Sequence, residues 1–196
     1  MPSNPTILAF DTSAAHCAAA LLRDGEIVTS RAEAMSRGQA ERLIPLLEDV
    51  LAETGCDWAG LDALSVGIGP GNFTGIRISV SAARGLALGL EIPAVGVSGF
   101  DALRELAEDG QIPAIPAPRD QVYVKMPGAD PCLLPRAEAE LGGPLYSCSD
   151  PALLAQAIAR LAARRWDRTS LPPAPLYVRP ADAAPSRDTP PVLLNE

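Results

Sequence analysis

Apolar and polar positions follow two different periods along this chain, and the changes of period predict its elements. Residues 6–11 and 17–23 are short apolar runs bounded by polar residues, and they read as strands. Asp24-Gly25 is a two-residue hairpin signal, so 26–31 returns as a third strand. Residues 39–53 change period. Leu43, Ile44, Leu46, Leu47, Val50 and Leu51 fall on one arc of a helix, with Glu41, Glu48, Asp49 and Glu53 off it. Pro45 removes one hydrogen bond from this helix and predicts a kink or a late start. Residues 62–68 read as a fourth strand, 76–90 as a second helix and 94–97 as a fifth strand. Ser98 then caps a third helix, with Asp101 in a capping-box-like position, and Gly110 can end it. The order β-β-β-α-β-α-β-α predicts a mixed sheet, antiparallel at its hairpin side and parallel at its crossover side.

Beyond residue 110 the periodic signal weakens. Residues 111–117 and 121–126 are candidate paired strands. Asp150-Pro151 starts a helix with Asp as N-cap and Pro at the first position, and that helix reads on to about Trp166. Five of the 20 prolines precede residue 110 and fifteen follow it, whereas twelve of the 16 glycines precede it. That shift predicts a regular N-terminal domain over 1–109 and a smaller, irregular one over 110–196, ending in a Pro-rich segment that is extended where it docks.

Composition removes several functions. A length of 196 residues allows one domain or two small ones. No apolar run reaches the roughly 20 residues that span a bilayer, and the first six residues lack the basic and apolar regions of a secretory signal, so a cytoplasmic protein without a membrane role is expected. The net charge is −8 and Lys125 is the only lysine, which argues against independent nucleic-acid binding. Cys17, Cys56, Cys132 and Cys148 make no Cys-x-x-Cys pair, and Cys17 reads as a small core residue. His16 is the sole histidine; any relay from a nucleophile to a base would have to use it.

Two segments carry candidate chemistry. The first is Gly69-Pro70-Gly71-Asn72-Phe73-Thr74-Gly75-Ile76-Arg77, between the fourth strand and the second helix. A strand-to-helix turn leaves N–H groups free at the positive end of the helix dipole, which suits a phosphate. It has no Lys and is not a Walker motif; Thr74 and Arg77 are its only phosphate or magnesium candidates. From spacing alone, glycines serving unusual backbone angles and close packing are the favoured reading. The second is Asp11-Thr12-Ser13 at the end of the first strand, which suits a metal–phosphate and a local side-chain turn equally. The second helix is also unusual: Ser79, Ser81, Ala82, Ala83, Gly85, Ala87 and Gly89 make it small-sided, and Gly85 and Gly89 face the same way. Each glycine costs about 1 kcal/mol of helix propensity, so close packing should offset it, either on its own sheet or on a helix of another chain.

These residues resemble a known family. Ile7-Leu8-Ala9-Phe10-Asp11-Thr12-Ser13, followed by the string from Gly69 to Arg77, is similar to the TsaB (YeaZ) family; Gly85-Leu86-Ala87 and Val95-Gly96-Val97-Ser98 fit the same pattern. Asn72 stands where the family usually has Ser, and Pro116-Ala117-Pro118-Arg119 replaces its usual Asp-Ala-Arg-Arg. Gln121-Val122-Tyr123 and Leu176-Tyr177-Val178-Arg179 extend the likeness. The resemblance implies an α/β chain of the actin-like ATPase/Hsp70/sugar-kinase (ribonuclease H-like) fold, with a smaller second domain of the same type. It implies a bacterial, non-catalytic scaffold or activator in the synthesis of threonylcarbamoyladenosine beside the anticodon of tRNA. The implied partners are a TsaD-type catalytic homologue, a TsaE-type ATPase and, when alone, a second copy, with tRNA reached only through the complex. The catalytic relative carries a His-x-x-x-His metal motif where residues 37–43 have no histidine.

No catalytic, cofactor or metal residue is assigned on this reading, and a nucleotide is expected only at a partner interface. The signature loops are Asp11, Thr12, Ser13, Gly69, Pro70, Gly71, Phe73, Thr74 and Gly75. In this family the helices corresponding to 39–53 and 76–90 meet the partner, which makes Glu41, Arg42, Pro45, Leu46, Arg77, Ser81, Arg84 and Gly85 interface candidates. The alternatives are an independent small ATPase or kinase of the same fold and, more weakly, a glycoprotease-like peptidase.

Overall fold

The computed structural model describes residues 4–126, 128–168 and 171–178. Five strands form the first sheet: β1 (Ile7–Asp11), β2 (His16–Arg23), β3 (Glu26–Ala34), β4 (Ala63–Gly67) and β5 (Ala94–Val97). Their order is β3-β2-β1-β4-β5. β1–β2 and β2–β3 are antiparallel, while β1–β4 and β4–β5 are parallel. This is the mixed sheet that the element order predicts, antiparallel at its hairpin side and parallel at its crossover side, and it fits the ribonuclease H-like, actin-like fold that the resemblance implies. The third strand runs three residues further than its apolar pattern, to Ala34, because its outer end pairs with the buried start of β2.

Period-two alternation splits β1 between two cores. Leu8 and Phe10 point to one side, where they pack with α1 (Gln39–Glu53) and α2 (Phe73–Leu90). Ile7 and Ala9 point to the other and meet Ala157, Ile158, Ala159 and Ala162 of α5 (Pro151–Ala163). Ala18 and Ala20 of β2 face Ala155 of the same helix. Methyl-sized side chains on both partners let this helix lie close to the sheet. Asp150 caps it by accepting from the N–H of Ala152 at 2.9 Å, with Pro151 at the first position. Helix α5 ends at Ala163, three residues before the expected Trp166, which is buried in a following 3-10 turn. Burial pushes the thiol of Cys17 up to about 11, in keeping with a core residue.

Pro45 does not delay α1, which begins at Gln39 and carries the ring on its exposed side. Helix α3 (Gly99–Leu106) is capped by the Ser98 hydroxyl, which accepts from the N–H of Asp101 at 3.1 Å. It ends four residues before Gly110, because Ala107 turns extended and the Gln111 side chain takes the Glu108 N–H. A second, smaller sheet has the order β8-β7-β6-β9, from β6 (Ile112–Ala117), β7 (Gln121–Val124), β8 (Cys132–Pro135) and β9 (Leu145–Tyr146). Its core is small: Ile112, Ala114, Val122, Val124 and Ala139, the last from the one-turn helix α4 (Arg136–Ala139).

Candidate functional site

Two loops meet at the end of the first sheet. One follows β1 and holds Asp11, Thr12 and Ser13; the other joins β4 to α2. Asn72 N–H donates to the Ser13 carbonyl at 2.6 Å, and the Thr12 hydroxyl donates to the Gly75 carbonyl at 2.7 Å. The glycines make this approach feasible. A Cβ on Gly67 would overlap Asp11 Oδ1, one on Gly71 the Ser13 carbonyl oxygen, and one on Gly75 the Thr12 carbonyl oxygen. Gly69 also needs its backbone freedom, at φ +93°, and precedes Pro70 across a cis peptide bond.

Four N–H groups of the loop are spent internally. Ile68 donates to the Val97 carbonyl, Asn72 to Ser13, Gly75 to the Asn72 side chain at 2.8 Å, and Ile76 to the Asn72 carbonyl. Asn72 is thus the N-cap, and α2 starts at Phe73, three residues earlier than its apolar period indicates. A phosphate cradle needs such donors free. Close packing, the reading favoured from spacing, accounts for the glycines.

Asp11 is 1% exposed and His16 is 7% exposed, and both line the cleft that opens beside the two loops. Asp11 Oδ2 accepts from the Ser13 N–H at 3.0 Å, from the Ser13 hydroxyl at 2.9 Å and from His16 Nε2 at 2.7 Å. His16 was visible in the sequence as the sole histidine, but its partner was not. The two residues flank the tight β1–β2 connection, and the Asp-x-x-x-x-His spacing across a strand turn is the signal that could have joined them. Asp11 stands between Ser13 and His16, so the serine hydroxyl points to the carboxylate and not to the imidazole. A serine relay requires the imidazole to take the hydroxyl proton. Among the described residues, no three His, Cys, Asp or Glu side chains group as a metal site.

The cleft has a volume of about 980 Å³. Its opposite wall comes from the second sheet, through Ile115 and Tyr123, and from Leu154 and Ile158 of α5. The segment 171–178 closes one side. Leu176 N–H donates to the Ile68 carbonyl at 2.7 Å, and Pro173 is buried against Gly96. Tyr177 stacks on Phe73 with ring centroids 4.9 Å apart, and its hydroxyl accepts from Arg77 Nε at 2.9 Å. The Arg77 guanidinium lies 3.8 Å from the Phe73 ring centroid. The rest of the Pro-rich segment lies outside the described residues.

The remaining candidates sit on the outer faces of α1 and α2. Glu41 and Pro45 are exposed on α1. Arg42 is half-buried and donates to Glu33 at 2.8 and 2.6 Å and to Asp49 at 2.7 Å, which holds the Glu33 carboxyl below its usual range. Leu46 is fully buried in the core and offers no surface to another chain, a correction to its place among the interface candidates. Its position on the helical arc allowed either side. On α2, Arg77, Ser81, Arg84 and Gly85 are exposed along one stripe that continues to Leu88 and Gly89. Leu88 is 82% exposed, and a Cβ on Gly85 or Gly89 would meet nothing within 4 Å among the described residues. Thr74 is exposed at the start of the same helix.

Comparison with known proteins gives a consistent set of relatives. Residues 25–127 match the family model for TsaD, tRNA N6-adenosine threonylcarbamoyltransferase. The chain is 37% identical over 125 residues to the tRNA threonylcarbamoyladenosine biosynthesis protein TsaB of Haemophilus influenzae, covering 61% of this chain and 52% of that protein. It is 44% identical over 92 residues to the protein of the same name from Escherichia coli, covering 47% and 39%. The chain thus spans about half the length, or less, of these curated relatives. A solved structure from Pseudomonas aeruginosa, described as an uncharacterised protein with similarity to peptidase YEAZ, superposes with a TM-score of 0.70 at 27% identity, over 89% of this chain and all of that one.

Proposed function

This chain belongs to the TsaB (YeaZ) family, and from that premise we propose that it is a non-catalytic subunit in the synthesis of threonylcarbamoyladenosine in tRNA, acting in the bacterial cytoplasm. Its task is to bind and activate a TsaD-type catalytic homologue through the outer faces of α1 and α2. A TsaE-type ATPase joins that pair, and tRNA is reached through the complex. A second copy of the chain takes the same surface when the homologue is absent.

The observation that carries this reading is the stripe on α2. Gly85 and Gly89 cost helix propensity, and a Cβ on either would meet nothing within 4 Å among the described residues, while Leu88 beside them stands almost fully exposed. A helix of another chain that lies over two glycines approaches closely and covers the leucine. Arg77, Ser81 and Arg84 on α2, with Glu41 and Pro45 on α1, surround the contact; Arg42 orders the edge of α1 through Glu33 and Asp49.

Two further observations support the non-catalytic assignment. The loop at the start of α2 has no Lys and spends four of its N–H groups on its own chain, which disfavours an independent ATPase. The Ser13 hydroxyl donates to Asp11 instead of His16, which disfavours a serine peptidase.

Copurification with the TsaD-type protein of the same organism is the test. A stable complex at micromolar concentration is expected. Gly85→Trp should weaken it at least about tenfold, as burial of a hot-spot contact would, without altering the circular dichroism of the free chain. Absence of a complex, or full affinity in the variant, would overturn the reading.

A further inference from the structure

The cleft beside Asp11 has a chemistry of its own, and it does not depend on the partner surface of α2. Its floor is polar on one side only. Asp11 Oδ2 is saturated by three donors, whereas Oδ1 lies against the Gly67 Cα and makes no hydrogen bond among the described residues. An ionised carboxylate has about four acceptor sites over its two oxygens. His16 spends Nε2 on Asp11, and its Nδ1 has no partner among the described residues. In the neutral imidazole, donation through Nε2 leaves Nδ1 as an acceptor. Both side chains are more than nine-tenths buried and line the same cavity, and the carboxylate of Asp11 keeps unfilled accepting capacity there.

The walls contrast with that floor. Phe73, Tyr123, Tyr177, Leu103, Ile115 and Leu154 supply aromatic and branched apolar surface. No Lys or Arg lines the cavity among the described residues. The volume of about 980 Å³ is at the upper end of the range for pockets that enclose a small organic molecule. A phosphate-bearing ligand would meet a buried carboxylate with no Lys or Arg among the described lining residues. The net charge of −8 also favours approach of a positive ligand.

We propose that this cleft binds a small organic cation, a primary ammonium or amidinium group carried on an aromatic or branched aliphatic body. The cationic head donates to Asp11 Oδ1, beside His16. The body packs among Phe73, Tyr123 and Ile115 and displaces water from them. A phosphate group in place of the head is rejected by the same carboxylate.

Titration of the full chain with phenethylamine, a cation at neutral pH, tests this, with 2-phenylethanol as the neutral isostere and Mg·ATP as competitor. Binding is read by saturation-transfer NMR and calorimetry. The cation is expected to bind at millimolar concentration or below, and the alcohol about tenfold more weakly or worse, in line with a lost charge-assisted hydrogen bond. Mg·ATP should not displace it. Asp11→Asn should cost at least about tenfold in affinity for the cation. Ile115→Trp, which fills the cleft without touching the Asp11 hydrogen bonds, should abolish binding in a folded chain, and it remains informative if the Asp11 variant does not fold. Equal affinity for amine and alcohol, displacement by Mg·ATP, indifference to Ile115→Trp, or no binding at millimolar concentration would each overturn the proposal.

Discussion

Glycine does two opposite jobs in this chain, and single residues distinguish them. Gly75 sits where any side chain would collide with the Thr12 carbonyl oxygen, a backbone atom that cannot swing away. Gly85 sits ten residues further along the same helix, with nothing within 4 Å of a Cβ among the described residues. Gly75→Ala should therefore destabilise the chain by about 1–3 kcal/mol, the usual cost of forcing atoms into a packed contact. Gly85→Ala should stabilise the isolated chain by up to about 1 kcal/mol, because alanine is the better helix former. Urea unfolding of both variants measures this, and a shift of the midpoint in the same direction for both would refute the distinction. The sequence separated neither glycine from the other. Both lie among small residues, and only the path of the β1 loop, brought in from more than sixty residues away, tells them apart.

At the scale of elements, the apolar period located all five strands of the first sheet and the helices that cover it. Their ends were less legible, for identifiable reasons. The start of α2 hides in a glycine-rich run, because its first turn is selected by the Asn72 cap and the Thr12 contact instead of by apolar spacing. The end of α3 is set by Gln111, a residue outside the helix. In the second sheet, β8, β9 and α4 are two to four residues long and too short to show a period. Asp11 and Ser13 were found as a motif, but the role of His16 depends on a turn geometry that spacing does not specify. Asn72 allows an element-scale prediction. Its side chain accepts from the Gly75 N–H, so Asn72→Ala should cost about 1 kcal/mol, whereas Asn72→Ser, the residue usual in the family, should be nearly neutral. Thermal unfolding of the two variants checks this, and an equal loss in both would show that the amide serves something other than the cap.

Across the whole molecule, the layers do not follow the order of the chain. Helix α5 comes after the second sheet in sequence, yet it packs on the far face of the first. The segment 171–178 then crosses back to the loop before α2. The chain beyond residue 110 thus supplies one wall of the cleft, one layer of the first core and one brace on the signature loop. That brace is assembled from separate kinds of contact: the Leu176 N–H on the Ile68 carbonyl, the Pro173 ring on Gly96, and Tyr177 on Phe73 and Arg77. A chain ending at Val178 and one ending at Arg168 differ by this brace. Pro173 is buried and Leu176 half-buried, so the shorter chain exposes apolar surface and leaves the Ile68 carbonyl without its donor. After the ordering entropy of the segment is subtracted, the expected loss is on the order of 1–3 kcal/mol. Its far-ultraviolet circular dichroism should stay unchanged, because none of the described residues in the segment removed lies in a strand or helix. Chemical unfolding of the two chains is the measurement. A lower midpoint with retained secondary structure identifies the segment as a brace. An unchanged midpoint would mean that the signature loop holds its shape through Ser13, Thr12 and the Asn72 cap alone.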